Sequence, residues 1–346
     1  MLRQPSEPAG QPVAMTPAAA VHACDRFAWL SLHHCEPSDQ FDRRSDAEAS
    51  RFIADLRTIG CEVHTTDPTT GVGPITYSAV AGHFAGQVSG VALGLPDSPK
   101  IWHVLIIRLG DADDLQFIMP EMEAESQVAM NLLGIDRAMY VIIDPSTHAI
   151  HGTRFTADTA VATKLLARVA SIVGAAEPPP RIADAIPCAT CSMQSVCYES
   201  MSPAPAVTAP ITCRNCVHST PRTASDGGRW RCDKHARDLS SAEQAAACDD
   251  HLIMPHLLEP WATPIDAGYD PAGDWTEYQT KSGVKIRNSR GQHDYASREL
   301  AVLPVPLIGA GTVDAAKSHI SGCEAISSED DYRSQAAETF QPGRQT

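Results

Sequence analysis

A mixed α/β sheet flanked by helices, followed by a small cysteine-rich β module, is the fold class this sequence predicts. Between residues 47 and 173, helical and strand-like patterns interleave in the order helix, strands, helix, strand, helix. Within that span Ile101–Leu109 (IWHVLIIRL) is a near-continuous apolar run rich in β-branched residues, as a strand covered on both faces requires. Beyond it, cysteines recur in two sets that each contain a C-x-x-C pair.

Residues 1–21 are rich in Pro, Ala, Gln and Ser without period and are expected to be disordered. Ala47–Ile59 then sets Phe52, Ile53, Leu56 and Ile59 at helical spacing and stops at Gly60. His83–Leu95 alternates apolar and small residues and reads, with Ile101–Leu109, as a pair of strands. A helix is expected over about Met119–Leu133, a strand at Ala138–Ile143, a turn at Asp144–Thr147 and a strand at His148–Phe155. The last helix of this part runs from about Ala157 to Val173, closed by Gly174 and Pro178–Pro180. Short alternating stretches return at Trp275–Tyr278 and Val284–Arg287. The implied organisation is a principal domain at 22–201, a Pro/Ala linker at 202–210, a zinc-ribbon-like module at 211–305 and a polar tail at 306–346.

Composition narrows the function. The chain of 346 residues has a net charge of −15, spread over both halves with no basic run, so charge alone does not equip it for tight non-specific duplex binding. No apolar run is long enough to cross a bilayer, and no charged start precedes an apolar stretch; a cytoplasmic location and no membrane partner are expected. Eleven cysteines in a reducing compartment point to metal or cluster ligation rather than disulfides.

His83–Tyr140 resembles the RecB-like PD-(D/E)XK nucleases of phages and their CRISPR-associated relatives. That family carries a Gly-His-x-x-Gly-x-x-Asp-Gly strand, a Trp-His-Val-Leu-Glu-x-Lys strand and a helix reading Pro-Glu-His-x-x-Gln-x-Gln. Here Gly82, His83, Gly86 and Gly90 match, as do Trp102, His103, Val104, Leu105, Pro120, Glu121 and Gln127, and the frame continues through Gly134, Asp136, Arg137, Ala138 and Tyr140. The residues that do the family's chemistry are changed: its metal-binding Asp is Ser89, its Glu is Ile106 and its Lys is Arg108, while Met122 and Glu125 replace its His and first Gln. The resemblance implies a nuclease-like fold without the two carboxylates that would hold Mg²⁺ or Mn²⁺ and activate water. Relocated carboxylates are the alternative. Asp111, Asp113, Asp114, Glu121 and Glu123 read as a solvated acidic loop and helix face, and Glu125 is the best candidate for a displaced ligand.

The same resemblance gives the first cysteine set a role. In several such nucleases three cysteines after the core join one upstream to hold a 4Fe–4S cluster, which maps onto Cys188, Cys191 and Cys197 with Cys24 upstream, or Cys35 as second choice; zinc is the rival occupant. The second set, Cys213, Cys216, Cys232 and Cys248, has zinc-ribbon-like spacing and is read as a structural Zn²⁺ site, with His218, His235 and His251 nearby as surface or supporting residues. The expected function is a catalytically degenerate nuclease-like protein of phage or prophage DNA metabolism that binds DNA or a phage or host DNA-repair protein. The alternatives are a metal-dependent exonuclease with relocated carboxylates and an acidic protein-interaction adaptor.

Overall fold

The computed structural model describes residues 14–33, 44–110, 115–183, 186–198, 205–223, 229–270, 273–308, 313 and 316. Two compact units divide the chain: Met1–Thr190 with Ser219–Gln244, and Cys191–His218 with Ala245–Thr346. The stretch Ser219–Gln244, inside the module expected at 211–305, thus folds as part of the first unit. No helix of the described residues is long and apolar enough to cross a membrane.

The first unit is built on a mixed five-stranded sheet. Helices of this unit include α1 (Pro17–Val21), α2 (Asp25–Leu32), α3 (Arg44–Thr58), α4 (Leu115–Leu133) and α5 (Thr159–Val173). Its first seven strands are β1 (Glu62–His64), β2 (Thr76–Ala79), β3 (Phe84–Gln87), β4 (Gly90–Leu93), β5 (His103–Leu109), β6 (Arg137–Ile143) and β7 (Ile150–Thr156). The sheet order is β1-β4-β5-β6-β7, antiparallel except for the central β5–β6 pair, whose crossover is α4; β2 and β3 form a separate hairpin. Parallel neighbours need such a crossover, and an apolar β5 placed between two partners explains why its sequence lacks alternation.

One face of the sheet is closed by α3. Ile53 and Leu56 pack with Cys61, Val63, Ala92, Leu95, Leu105, Ile107, Val141 and Ile143 in one buried cluster, each large apolar side chain contributing about 1.5–3 kcal/mol. Side chains alternate along a strand, so Ile106 and Arg108 point to the opposite face. Between β6 and β7 the expected turn forms, with Asp144 accepting hydrogen bonds from Ser146 and Thr147 that hold its carboxyl well below the usual carboxylate range.

Three elements differ from the expectation. Residues 14–21, expected to be disordered, are ordered: Met15 is buried and bridges to Phe84, and α1 follows, capped by the Thr16 hydroxyl. The run His83–Leu95 is not one strand but two, β3 in the hairpin and β4 in the main sheet, separated at Val88 and Ser89. Helix α4 begins at Leu115 rather than near Met119, with Pro120 inside it.

The remaining strands of the first unit are β8 (Ser219–Arg222), β9 (Arg229–Cys232) and β10 (Arg237–Leu239), an antiparallel sheet in the order β10-β9-β8. Trp230 of β9 is buried, and His33 and His83 meet its ring edge-on at centroid distances of 4.9 and 6.1 Å. The second unit carries β11 (Ala262–Asp270), β12 (Gly273–Thr280) and β13 (Lys285–Asn288), paired in sequence order around the buried Tyr278 and Ile286. Asn288 completes its core, accepting the Ile253 N–H and donating to the Tyr295 carbonyl.

Candidate functional site

The residues singled out in the first unit converge on the face of the sheet opposite α3, where β5, β6, α4 and the β2–β3 hairpin meet. Gly86 and Gly90 are required by close approaches. A Cβ on Gly86 would stand 2.4 Å from the Tyr77 ring, its register partner in the hairpin, and one on Gly90 would stand 2.7 Å from the His64 carbonyl oxygen. Ser89 lies between β3 and β4 and completes the sheet ladder: its N–H donates to the Leu105 carbonyl and its hydroxyl accepts the Ile107 N–H, both at 2.9 Å. Ile106 is 0% exposed and is the register partner of Tyr140.

Arg108 turns toward α4 and forms a charged hydrogen bond with the Glu125 carboxylate, while its other terminal nitrogen donates to the Ile107 carbonyl. The second Glu125 oxygen accepts the Tyr140 hydroxyl at 2.9 Å. Burial, reinforced by the Glu125 charge, raises the pKa of both Tyr77 and Tyr140, so both remain phenols at neutral pH. The Tyr77 hydroxyl is buried without a hydrogen-bond partner among the described residues.

The other matching positions hold the scaffold. Gln127 uses both ends of its amide, donating to the Thr156 carbonyl at 2.9 Å and accepting the Asp158 N–H at 2.6 Å, and so fixes the end of β7 to the start of α5. His83 is buried and bonded through Nε2 to the Arg222 carbonyl. His103 is buried, bonded through Nδ1 to the Ile101 carbonyl, with burial lowering its pKa. Glu121 and Glu123 are exposed on α4, whereas Glu125 is buried at 9% exposure; Asp111, Asp113 and Asp114 lie outside the described residues.

These side chains do not fit Mg²⁺ or Mn²⁺. A hard ion of this kind takes several oxygen ligands, usually more than one carboxylate. Ser89, Ile106 and Arg108 supply a hydroxyl already used in the ladder, an alkyl chain and a cation, and Glu125, the carboxylate that the described residues bring to them, has each oxygen engaged by a donor.

Of the first cysteine set, Cys24 precedes α2, without a side-chain capping bond, in a segment that Arg168 of α5 holds through the Ala20 and His22 carbonyls and the Asp25 carboxylate. Cys188 follows on the short helix Ile186–Ala189, and Cys191 and Cys197 flank and close the turn Gln194–Cys197; all four are half-buried thiols. Cys35 lies outside the described residues. Thiolate sulfur suits an iron–sulfur cluster or zinc equally. Of the second set, Cys232 sits on β9 opposite Ser219 and Arg237, within the first unit. Cys213, Cys216 and Cys248 belong to the second unit, where burial, with Cys213 and Cys248 adding to it, pushes the Cys216 thiol up to about 12. Among the described residues, no three Cys, His, Asp or Glu side chains stand together as a metal-binding group.

Sequence spacing gives His251 no more than a supporting place, yet it is buried in the second unit with a ring nitrogen left unbonded among the described residues. It is 5% exposed, donates from Nε2 to the Thr212 carbonyl at 2.9 Å, and leaves Nδ1 buried with no partner among the described residues. Burial lowers its pKa to about 4, so the ring is neutral at pH 7. With Cys248, Asp249, Arg290, Ala296, Ser297 and Arg298 it lines a cleft of about 270 Å³.

No family model and no curated protein sequence matches the chain. Among solved structures, it is similar to an alkaline exonuclease, LHK-Exo, from Laribacter hongkongensis, at 15% identity and a TM-score of 0.33 over 46% of this chain and 86% of that one. LHK-Exo in complex with dAMP gives the same TM-score and coverage at 14% identity. SSO0001 is 14% identical, with a TM-score of 0.34 over 57% of this chain and 91% of that one. Overlap at this level fixes neither the family nor the activity of the chain.

Proposed function

We propose that the first unit is a degenerate PD-(D/E)XK nuclease-like domain that no longer cuts, and that the chain serves phage or prophage DNA metabolism in the cytoplasm by binding nucleic acid at the former cleft. One observation carries this reading. Where the resembling family places a metal-bound carboxylate pair and a lysine, this chain has Ser89, Ile106 and Arg108, and among the described residues the Glu125 carboxylate beside them is neutralised by Arg108 and bonded to Tyr140. Without a bound cation there is no Lewis acid for the phosphodiester and nothing to lower the pKa of an attacking water. A 4Fe–4S cluster or zinc at the first cysteine set is what the resemblance implies; Cys24 and Cys188 lie in the first unit and Cys191 and Cys197 in the second.

A second reading, an acidic adaptor for a phage or host DNA-repair protein, is favoured by the net charge of −15. Purified full-length protein given Mg²⁺ or Mn²⁺ is expected to leave single- and double-stranded DNA intact. Manganese-dependent degradation that disappears in Glu125→Ala overturns the degenerate reading in favour of an exonuclease with a relocated ligand. A DNA affinity that falls with salt as a phosphate-contacting protein's must supports nucleic-acid binding, and the absence of binding at low salt leaves the adaptor.

A further inference from the structure

We propose that Cys213, Cys216, Cys248 and His251 bind one zinc ion, His251 through Nδ1. All four residues lie in the second unit.

The backbone prepares two matching turns. Cys213 and Cys216 bracket two residues, as do Cys248 and His251. Each turn is closed by the same bond, from the N–H of the second ligand to the carbonyl of the first: Cys216 to Cys213 at 3.3 Å and His251 to Cys248 at 3.2 Å. The segments are then strapped together. Cys213 donates to the Ala246 carbonyl, Val217 to the Leu252 carbonyl and Met254 to the Asn215 carbonyl, at 2.6, 3.0 and 3.1 Å, and Cys216 forms a β-bridge with Ile253. Paired two-residue turns presenting Cys or His are how small structural zinc sites gather four ligands from two short segments.

The imidazole is already set for a metal. Its proton is fixed on Nε2 by the Thr212 carbonyl, with the Asn215 side-chain oxygen at 3.3 Å, so the lone pair is on Nδ1. A ligand histidine almost always donates its other ring N–H to a carbonyl or carboxylate in this way. A buried nitrogen with no partner among the described residues asks for an ion or a water, and His251 lines one cleft with Cys248. Three thiolates and an imidazole on Zn²⁺ leave one net negative charge. Arg290 and Arg298 line the same cleft with Asp249; Arg290 is paired with the Asp250 carboxylate and Arg298 donates to the Ala247 carbonyl, which leaves Arg298 as the cation facing that charge. Among the described residues no three of these side chains already form a metal-binding group, so the proposed site has to be gathered by the ion, and metal binding then contributes to folding free energy.

Zinc-edge X-ray absorption and metal counts on the full-length protein test this. Wild type is expected to show a shell containing nitrogen at about 2.0–2.1 Å beside sulfur at about 2.3 Å. His251→Cys should retain the zinc and replace that nitrogen by sulfur, His251→Ala and Cys216→Ser should each lose one zinc per chain, and Cys232→Ser should change neither count nor shell. The result that overturns the proposal is a zinc lost in Cys232→Ser and a shell unaltered in His251→Cys. Full-length protein that retains no zinc at this site after reconstitution overturns it as well.

Discussion

Replacing Arg108 by Met leaves the Glu125 carboxylate buried at 9% exposure with only the Tyr140 hydroxyl, 2.9 Å away, to stabilise its charge. Removing one partner of a buried ion pair costs about 3–5 kcal/mol. The Arg108 side chain is 40% exposed, however, so water reaches the vacated position and the expected cost falls to about 2–3 kcal/mol. Glu125→Gln keeps the shape and a hydrogen bond to Tyr140 while stranding a half-open guanidinium, for about 1–2 kcal/mol. In the double variant neither charge remains, so the two costs should not add; a coupling of about 1–2 kcal/mol is expected. For a unit of this size, Arg108→Met then lowers Tm by roughly 4–12 °C, read by calorimetry or denaturant titration. Adding Mg²⁺ or Mn²⁺ should leave the wild-type transition where it is, since a ligand raises stability only by binding the folded state. Additive single variants, with coupling under about 0.5 kcal/mol, refute the pairing. So does a Mn²⁺-dependent rise in wild-type Tm that Glu125→Gln abolishes, because Glu125 would then be serving a metal.

Two further outcomes are expected. Gly86→Ala should destabilise the first unit by about 1–3 kcal/mol, because the new methyl meets the Tyr77 ring at 2.4 Å; Tyr77→Ala in the same background should relieve the clash, and an unchanged Tm in Gly86→Ala would show that the ring does not lie there. Anaerobic purification should give brown protein with iron and sulfide near one cluster per chain, bleached by Cys24→Ser; colourless protein containing only zinc, or bleaching by Cys35→Ser instead, counts against this assignment.

How much is legible depends on which forces set each element. The interior of β5, β6 and α5 can be read because burial on a sheet or along a helix imposes a pattern over many consecutive residues, as in His103–Leu109 and Thr159–Val173. The strand β1, three residues long, and β2, four, are too short to carry a period, and the exposed arm β11, interrupted at Pro264 and Asp266 by a bulge, has no apolar face to reveal it. At the site, Glu125 stands out as the one acidic residue of its helix worth following. What it does is not readable, because Arg108 lies 17 residues away on another element and only the packing of α4 against β5 brings the two together.

The same distinction explains the residues whose roles shift. Gln127 keeps a position of the resembling motif, yet both ends of its amide serve the junction of β7 and α5, so its presence reports the scaffold and not the chemistry. Equal intervals to Cys216 and Cys248 recommend Cys232 as a ligand, but equal spacing along a chain does not by itself impose a local geometry on the residues it separates. What does have a consequence is a short interval, since two intervening residues force the flanking side chains to one side of a turn. On that criterion the pair Cys248 and His251 is spaced like Cys213 and Cys216, and the matching turn bonds of the two pairs are what bring it into the proposed site.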